Sequence, residues 1–246
     1  MELQNLVCAV TGSGKGLGKA IAEKFYAEGA KVVFWDRSGL AKDVMASLDP
    51  SGERTLYVKA DVREEEQVKQ AAAQIVAKFG RIDVLVNNAG VSRHKPLAEM
   101  TVELWDEVID TNLKGVFLCC KAIAPYMKEQ KRGKIVNIAS LGGRTGRNVG
   151  INYAASKAGV VGITQVLAKE LGPSGIYSNA IAPGPILTEQ TKQYPPEVFE
   201  GWNAGRAIIK DGLPEDVADL AVFLGSSRSD WMTGVTIDIN GGILIR

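Results

Sequence analysis

Histidine is all but missing from this chain, cysteine is scarce, and no sign of charge dominates. Among 246 residues the only histidine is His94, and the three cysteines, Cys8, Cys119 and Cys120, form an odd set without metal-site spacing. Zinc therefore has almost no ligands to draw on, so no metal is expected, and the thiols read as buried and free. A Ser-His-Asp or Cys-His hydrolase would have to use His94 as its base. Lys plus Arg total 29 against 28 Asp plus Glu, with no long run of one sign. That balance argues against nucleic acid or an anionic membrane as the main partner. The chain also lacks any stretch of about 18 continuous apolar residues, and its start has no cationic, apolar, small-residue leader pattern. A soluble, cytoplasmic protein is the expectation.

What is present is rhythm. Hydrophobic residues make up 46% of the sequence, and apolar runs of strand length alternate with segments of helical period from end to end. Strands are expected at 6–11, 31–36, 55–59, 84–87, 134–140, 176–181 and 235–239, and helices at 17–28, 64–79, 114–130, 153–171 and 214–224. This alternation gives an α/β fold of the doubly wound Rossmann type, a seven-stranded parallel sheet with helices on both faces. A single dinucleotide-binding and catalytic domain over 1–246 is expected. The exception to the rhythm is the proline-containing stretch after Pro183, whose part at about 185–210 reads as a substrate loop.

The first strand runs into Thr11-Gly12-Ser13-Gly14-Lys15-Gly16-Leu17-Gly18 and then an apolar helix. Glycines there allow a tight turn and close backbone approach, so that the helix amino end can face a pyrophosphate. An ATP-type phosphate loop is excluded, because no Gly-Lys-Ser/Thr follows a glycine at the required spacing. Eighteen residues beyond Gly18 stands Asp36, at the end of the second strand. A carboxylate in that place accepts hydrogen bonds from ribose hydroxyls and repels a 2′-phosphate, which favours NAD over NADP. Lys15 and Arg37 are the two cations placed to hold such a phosphate instead.

Tyr153 and Lys157 are four residues apart and so share a helix face. A free phenol, with a pKa of about 10, is a poor base at neutral pH, and a nearby ammonium favours its phenolate. Ser140 closes the apolar run KIVNIAS, supplying a hydroxyl at the carboxyl end of the sheet, where α/β ligands bind.

Taken with Asn87-Asn88-Ala89-Gly90, Asn112, Pro183-Gly184 and the closing Thr233-Gly234-x-x-x-x-Ile239-Asn240-Gly241-Gly242, these motifs resemble the short-chain dehydrogenase/reductase family in its compact form. The resemblance covers essentially the whole chain. It implies hydride exchange between a nicotinamide cofactor and an alcohol/carbonyl pair, with Ser140 polarising the carbonyl, Tyr153 passing the proton, Lys157 also binding the nicotinamide ribose, and Asn112 holding a relay water. It implies cofactor contacts at Gly12, Ser13, Lys15, Gly16, Leu17, Gly18, Asp36, Arg37, Asp61, Val62, Asn88, Ala89, Gly90, Pro183, Gly184, Ile186 and Thr188. Ser178, where valine is usual, and Pro173 depart from the family pattern away from the chemistry. The resemblance also implies a homotetramer built on the 114–130 and 153–171 helices. In keeping with that, Val160, Val161, Ile163, Val166 and Leu167 exceed what one buried helix stripe requires.

Two readings compete on substrate. Arg144 and Arg147 lie between Ser140 and Tyr153, and Arg93 and His94 follow the Asn-Asn-Ala-Gly turn, a set that suits an anionic small alcohol or hydroxy acid. The alternative is a 3-oxoacyl-carrier-protein reductase, with Lys131-Arg132 meeting an acidic carrier, although such relatives commonly use NADPH and Ser174 stands where a second carrier-binding arginine is often found. A reading from another class, a non-catalytic dinucleotide sensor or scaffold, would be expected to have lost part of the Ser-Tyr-Lys set, which is complete here.

Overall fold

The computed structural model describes residues 1–245. Its strands are β1 (Val7–Thr11), β2 (Lys31–Trp35), β3 (Thr55–Val58), β4 (Val84–Asn87), β5 (Gly133–Ile138), β6 (Ile176–Pro183) and β7 (Thr236–Ile239). Its helices are α1 (Gly16–Ala27), α2 (Leu40–Leu48), α3 (Glu65–Phe79), α4 (Val102–Ile109), α5 (Gly115–Gln130), α6 (Gly142–Thr145), α7 (Ile151–Leu171), α8 (Pro196–Trp202) and α9 (Pro214–Gly225). The strands form one sheet in the order β3-β2-β1-β4-β5-β6-β7, every pair parallel.

Successive side chains of a strand point to opposite faces, and both faces are covered. Val7, Ala9, Val33 and Trp35 pack in one layer with Ile75 of α3, Ile123 and Met127 of α5 and Leu171 of α7. Cys8, Val10, Val32 and Phe34 pack in the other with Ile21 and Phe25 of α1 and Val217 and Ala221 of α9. Burial on both sides is why these strands read as unbroken apolar runs. A fully buried side chain of this size contributes about 1.5–3 kcal/mol, so two such layers can carry the cost of a few buried polar groups at the sheet's edge.

β1 pairs with β2 on one side and β4 on the other, with Cys8 opposite both Val32 and Val84. The strand order reverses here, and the crevice beyond the carboxyl ends is where such sheets take ligands. Several boundaries shift by a residue or two, and two of them bear on the site. β5 ends at Ile138, two residues short of Ser140, and β6 runs on to Pro183, two residues past its expected end. The 185–210 segment is partly helical, holding α8 with Tyr194 and Trp202 packed edge to face.

α4 and α5 are joined without a break by a π-helical turn, Asp110–Lys114. No helix among the described residues is long and apolar enough to cross a membrane.

Candidate active site

The end of β1 is laced to the end of β4. Thr11 Oγ1 accepts the N–H groups of Asn88 and Ala89, both at 3.0 Å, and Asn88 Nδ2 donates to the carbonyls of Thr11 and Gly12 at 3.0 and 3.2 Å. Gly18 is packed so tightly that a Cβ would stand 2.2 Å from the Gly12 carbonyl oxygen and 2.4 Å from Asn88 Nδ2. Gly16 has φ +56° and open space where a Cβ would project, while Ser13, in the same turn, buries its Oγ without a hydrogen-bond partner. A turn with a buried unpartnered hydroxyl and an open glycine face fits a pyrophosphate group. Leu17, in the first turn of α1, is half-buried and Lys15 is exposed.

Asp36 lies across this turn. Its Oδ2 accepts the Gly14 N–H at 3.3 Å and its Oδ1 the Ser38 N–H at 2.7 Å. Arg37 is turned away, paired with Asp61 at 3.3 Å. Asp61 is also gripped by Arg63, whose Nε and Nη2 donate to it, and that pairing holds its carboxyl down at about 2. Arg37 and Asp61, both expected to touch the cofactor, are thus bound to each other, and Val62 beside them is buried.

The catalytic candidates gather past β4 and β5. Lys157 is only 5% exposed, and its Nζ donates to the Ile138 carbonyl at 2.7 Å; burial pushes its pKa down to about 8. The ammonium lies 5.9 Å from the centre of the Tyr153 ring. Ser140 Oγ accepts the Gly142 N–H at 3.1 Å, which leaves its O–H as a donor. Asn112 sits in the π-turn, a distortion often found at functional sites. Its Oδ1 accepts the Val91 N–H at 2.8 Å, and its Nδ2 donates to the Val91 carbonyl and to Ser156 Oγ. Ser156 Oγ in turn donates to the Tyr153 carbonyl, at 2.8 Å. The amide is thereby committed to fixing the loop after Gly90 against α7. Nothing in the local sequence marks Ser156 or Val91 for this role.

The four basic candidates on the substrate side separate. Arg93 is held by both oxygens of Glu107, at 2.9 and 2.6 Å. Arg144 pairs with Asp238 of β7 at 3.2 Å. Each is neutralised by a carboxylate distant in sequence, so neither offers a free charge to an anion. Arg147 has no carboxylate within ion-pair distance among the described residues, and its guanidinium lies 5.1 Å from the centre of the Tyr153 ring. His94 approaches the same ring edge-on at 6.1 Å, with Nε2 at 2.8 Å from Ser92 Oγ. Half-burial, and then the charge of Arg147, depress the imidazole's pKa.

Gly184 packs on the Asn240 backbone, where a Cβ would come within 2.9 Å. Ile186 is buried and bridged to Gly212. Thr188 closes a turn with Thr191, whose Oγ1 accepts its N–H at 2.7 Å. The 185–210 segment is pinned at this neck, and again where the Ala207 and Ile208 N–H groups both reach the Gly241 carbonyl.

A family model described as enoyl-(acyl carrier protein) reductase matches residues 12–244. The chain is 42% identical over 250 residues to a 3-oxoacyl-[acyl-carrier-protein] reductase of Thermotoga maritima, covering all of both chains. It is 41% identical over 242 residues to the protein of that name from Synechocystis, covering 97% of each. A crystal structure described as that of gox2181 superposes with a TM-score of 0.94 at 34% identity, over 98% of this chain and 96% of the other.

Proposed function

The chain belongs to the short-chain dehydrogenase/reductase family, an oxidoreductase acting through a nicotinamide dinucleotide, and from that membership we propose that it interconverts 3-oxoacyl and 3-hydroxyacyl thioesters using NAD(H). One observation carries the chemistry: a buried lysine on the same face as Tyr153, one turn on, with Ser140 at the adjoining strand end. Relatives named for 3-oxoacyl reduction match along the whole chain, which favours that substrate class. So do the exposed apolar side chains in the segments that carry His94 and Tyr153, Leu97 three residues after the histidine, and Val149 and Ile151 just before the tyrosine.

When bound, reduced nicotinamide supplies a hydride to the carbonyl carbon. Ser140 donates its free O–H to the carbonyl oxygen, and Tyr153 delivers its phenolic proton to that oxygen as the alcohol forms. Lys157 stabilises the phenolate left behind. Asp36 supports NAD(H), since its carboxylate sits against the glycine turn, where it would repel a 2′-phosphate, while Arg37 is occupied by Asp61. Gly12, Ser13, Gly16 and Gly18 would hold the pyrophosphate, and Asn88 to Gly90 the central part of the cofactor. The 185–210 segment would select the substrate.

Lys131 and Arg132 follow α5 just before β5, at the opposite end of that strand from Ser140. Six strand residues span about 20 Å, so a carrier touching both would have to bridge that length or dock on a neighbouring subunit. We propose a homotetramer, although the apolar surplus on α7 is smaller than the sequence implies. Val160 is buried in its own subunit, with Val161, Ile163 and Leu167 partly buried against the same core, leaving Val166 at 61% and Phe117 of α5 at 50% exposed.

A second reading, a small anionic alcohol, rests on Arg147 alone. Loss of nicotinamide absorbance with acetoacetyl thioester, crotonyl thioester and a panel of small keto acids separates these. Oxidation of NADH by the acetoacetyl compound is expected. Turnover of crotonyl thioester alone would favour carbon–carbon double-bond reduction, and a preference for keto acids would establish the second reading.

A further inference from the structure

We propose that Arg147 is a second electrostatic positioning group for the Tyr153 proton, its guanidinium lying near the ring so that it stabilises the phenolate together with the buried Lys157. The placement is built into the backbone. The Arg147 stem crosses Gly142, where a Cβ would stand 2.8 Å from Cδ and 2.9 Å from Cγ. The same Gly142 donates its N–H to Ser140 Oγ, so one residue without a side chain serves both the serine and the arginine. Phenolate charge is shared with the ring, so a cation near the ring stabilises the ionised form more than the neutral one.

The charged and titratable groups facing Tyr153 come from three directions. Lys157 approaches from its own helix, His94 from the loop after β4, and Arg147 from the segment after α6. His94 is held toward its neutral form by half-burial and by Arg147 itself. Lys157 spends one N–H on Ile138, and burial brings its proton loss down to about pH 8. Arg147, a guanidinium, stays charged across the whole working range. Above pH 8 it is the cation beside the phenol that persists. Arg144 and Arg93, each committed to a carboxylate, do not share this role.

The inference rests on Tyr153 being the proton-transfer group. Its test is the midpoint of the Tyr153 tyrosinate band in the ultraviolet, isolated by subtracting the Tyr153→Phe protein, with no cofactor or substrate present. Arg147→Gln should raise that midpoint by about half to one pH unit, a modest shift because an exposed guanidinium is screened. The ascending, low-pH limb of alcohol oxidation should move by the same amount, so that the rate at fixed pH below the midpoint falls roughly three- to tenfold. Arg147→Lys should recover part of both shifts. An unmoved midpoint in Arg147→Gln, or Arg147→Lys titrating like Arg147→Gln, would overturn the proposal. A shifted midpoint in a protein inactive on every thioester would count against the substrate assignment alone.

Discussion

Lys157 Nζ is bonded to the carbonyl oxygen of Ile138, the last residue of β5, at 2.7 Å. Helix α7, which carries Tyr153, is therefore tied to the strand that leads into Ser140 through a buried lysine side chain. Such burial disfavours the charged form, and the pKa falls from an ordinary 10.5 to about 8. Between these values the unfolded chain binds the proton and the folded one does not, so Lys157 makes stability rise with pH over that window. Below pH 8 both states are charged at this residue and the burial cost is felt in full. Lys157→Met should abolish turnover. Its stability relative to wild type should fall by on the order of 2 kcal/mol from pH 7 to pH 10, as measured by denaturant unfolding at the two pH values.

Tyr153→Phe keeps the ring against His94 and Arg147 and removes only the oxygen. Turnover should drop by about a hundredfold or more, with cofactor affinity nearly unchanged by fluorescence titration. His94→Ala should leave appreciable activity, because a neutral imidazole bonded to Ser92 is not in the proton path proposed here.

Asp36→Ala tests the cofactor. Wild type should have the higher kcat/KM with NADH, and the substitution should narrow the ratio to NADPH by about tenfold, since a like charge is removed and the exposed Lys15 is left to attract a phosphate. A wild-type preference for NADPH would defeat the reading of Asp36.

The glycine turn should answer unequally to alanine. At position 18 the new methyl would meet the Gly12 carbonyl at 2.2 Å, so Gly18→Ala should cost several kcal/mol and weaken dinucleotide binding. Gly16→Ala meets nothing but has to hold a left-handed conformation, costing about 1 kcal/mol. Thermal melts of the two proteins, with and without dinucleotide, distinguish the cases.

Native protein should resist thiol reagents. Cys8, Cys119 and Cys120 are buried, and burial pushes all three thiols upward, Cys120 to about 12. Thiolate, the reactive form, is scarce in each. Three equivalents should appear only on unfolding in a colorimetric thiol assay.

Much of this architecture is legible in the sequence because strands covered on both faces leave uninterrupted apolar runs, and because the glycine turn and the Tyr153–Lys157 spacing are local. Helix α2 carries Ala41, Val44, Met45 and Leu48 at helical spacing, and α4 is announced by Thr101, whose Oγ1 accepts the Leu104 N–H. These short signals are overshadowed by their longer neighbours. The partners of Arg93 and Arg144 are different in kind. Glu107 lies 14 residues away and Asp238 lies 94 away, and no spacing rule joins a loop to the edge strand of a sheet. Basic residues that look available to a ligand are, in the folded chain, already neutralised. Among the described residues, Arg147 is the one of these three arginines without a carboxylate at ion-pair distance, and that too is visible only in three dimensions.

The wider turn at Asp110–Lys114 acts as a length gauge for the chain. A regular helix advances about 1.5 Å and rotates about 100° per residue, so deleting one residue there would swing α4 around its axis and carry the Leu104 carbonyl away from Asn152, which now donates to it at 3.0 Å. Insertions and deletions should by contrast be tolerated in the surface turn at 51–53, while the stretch from Thr101 to Gly115 keeps a fixed residue count among functional variants.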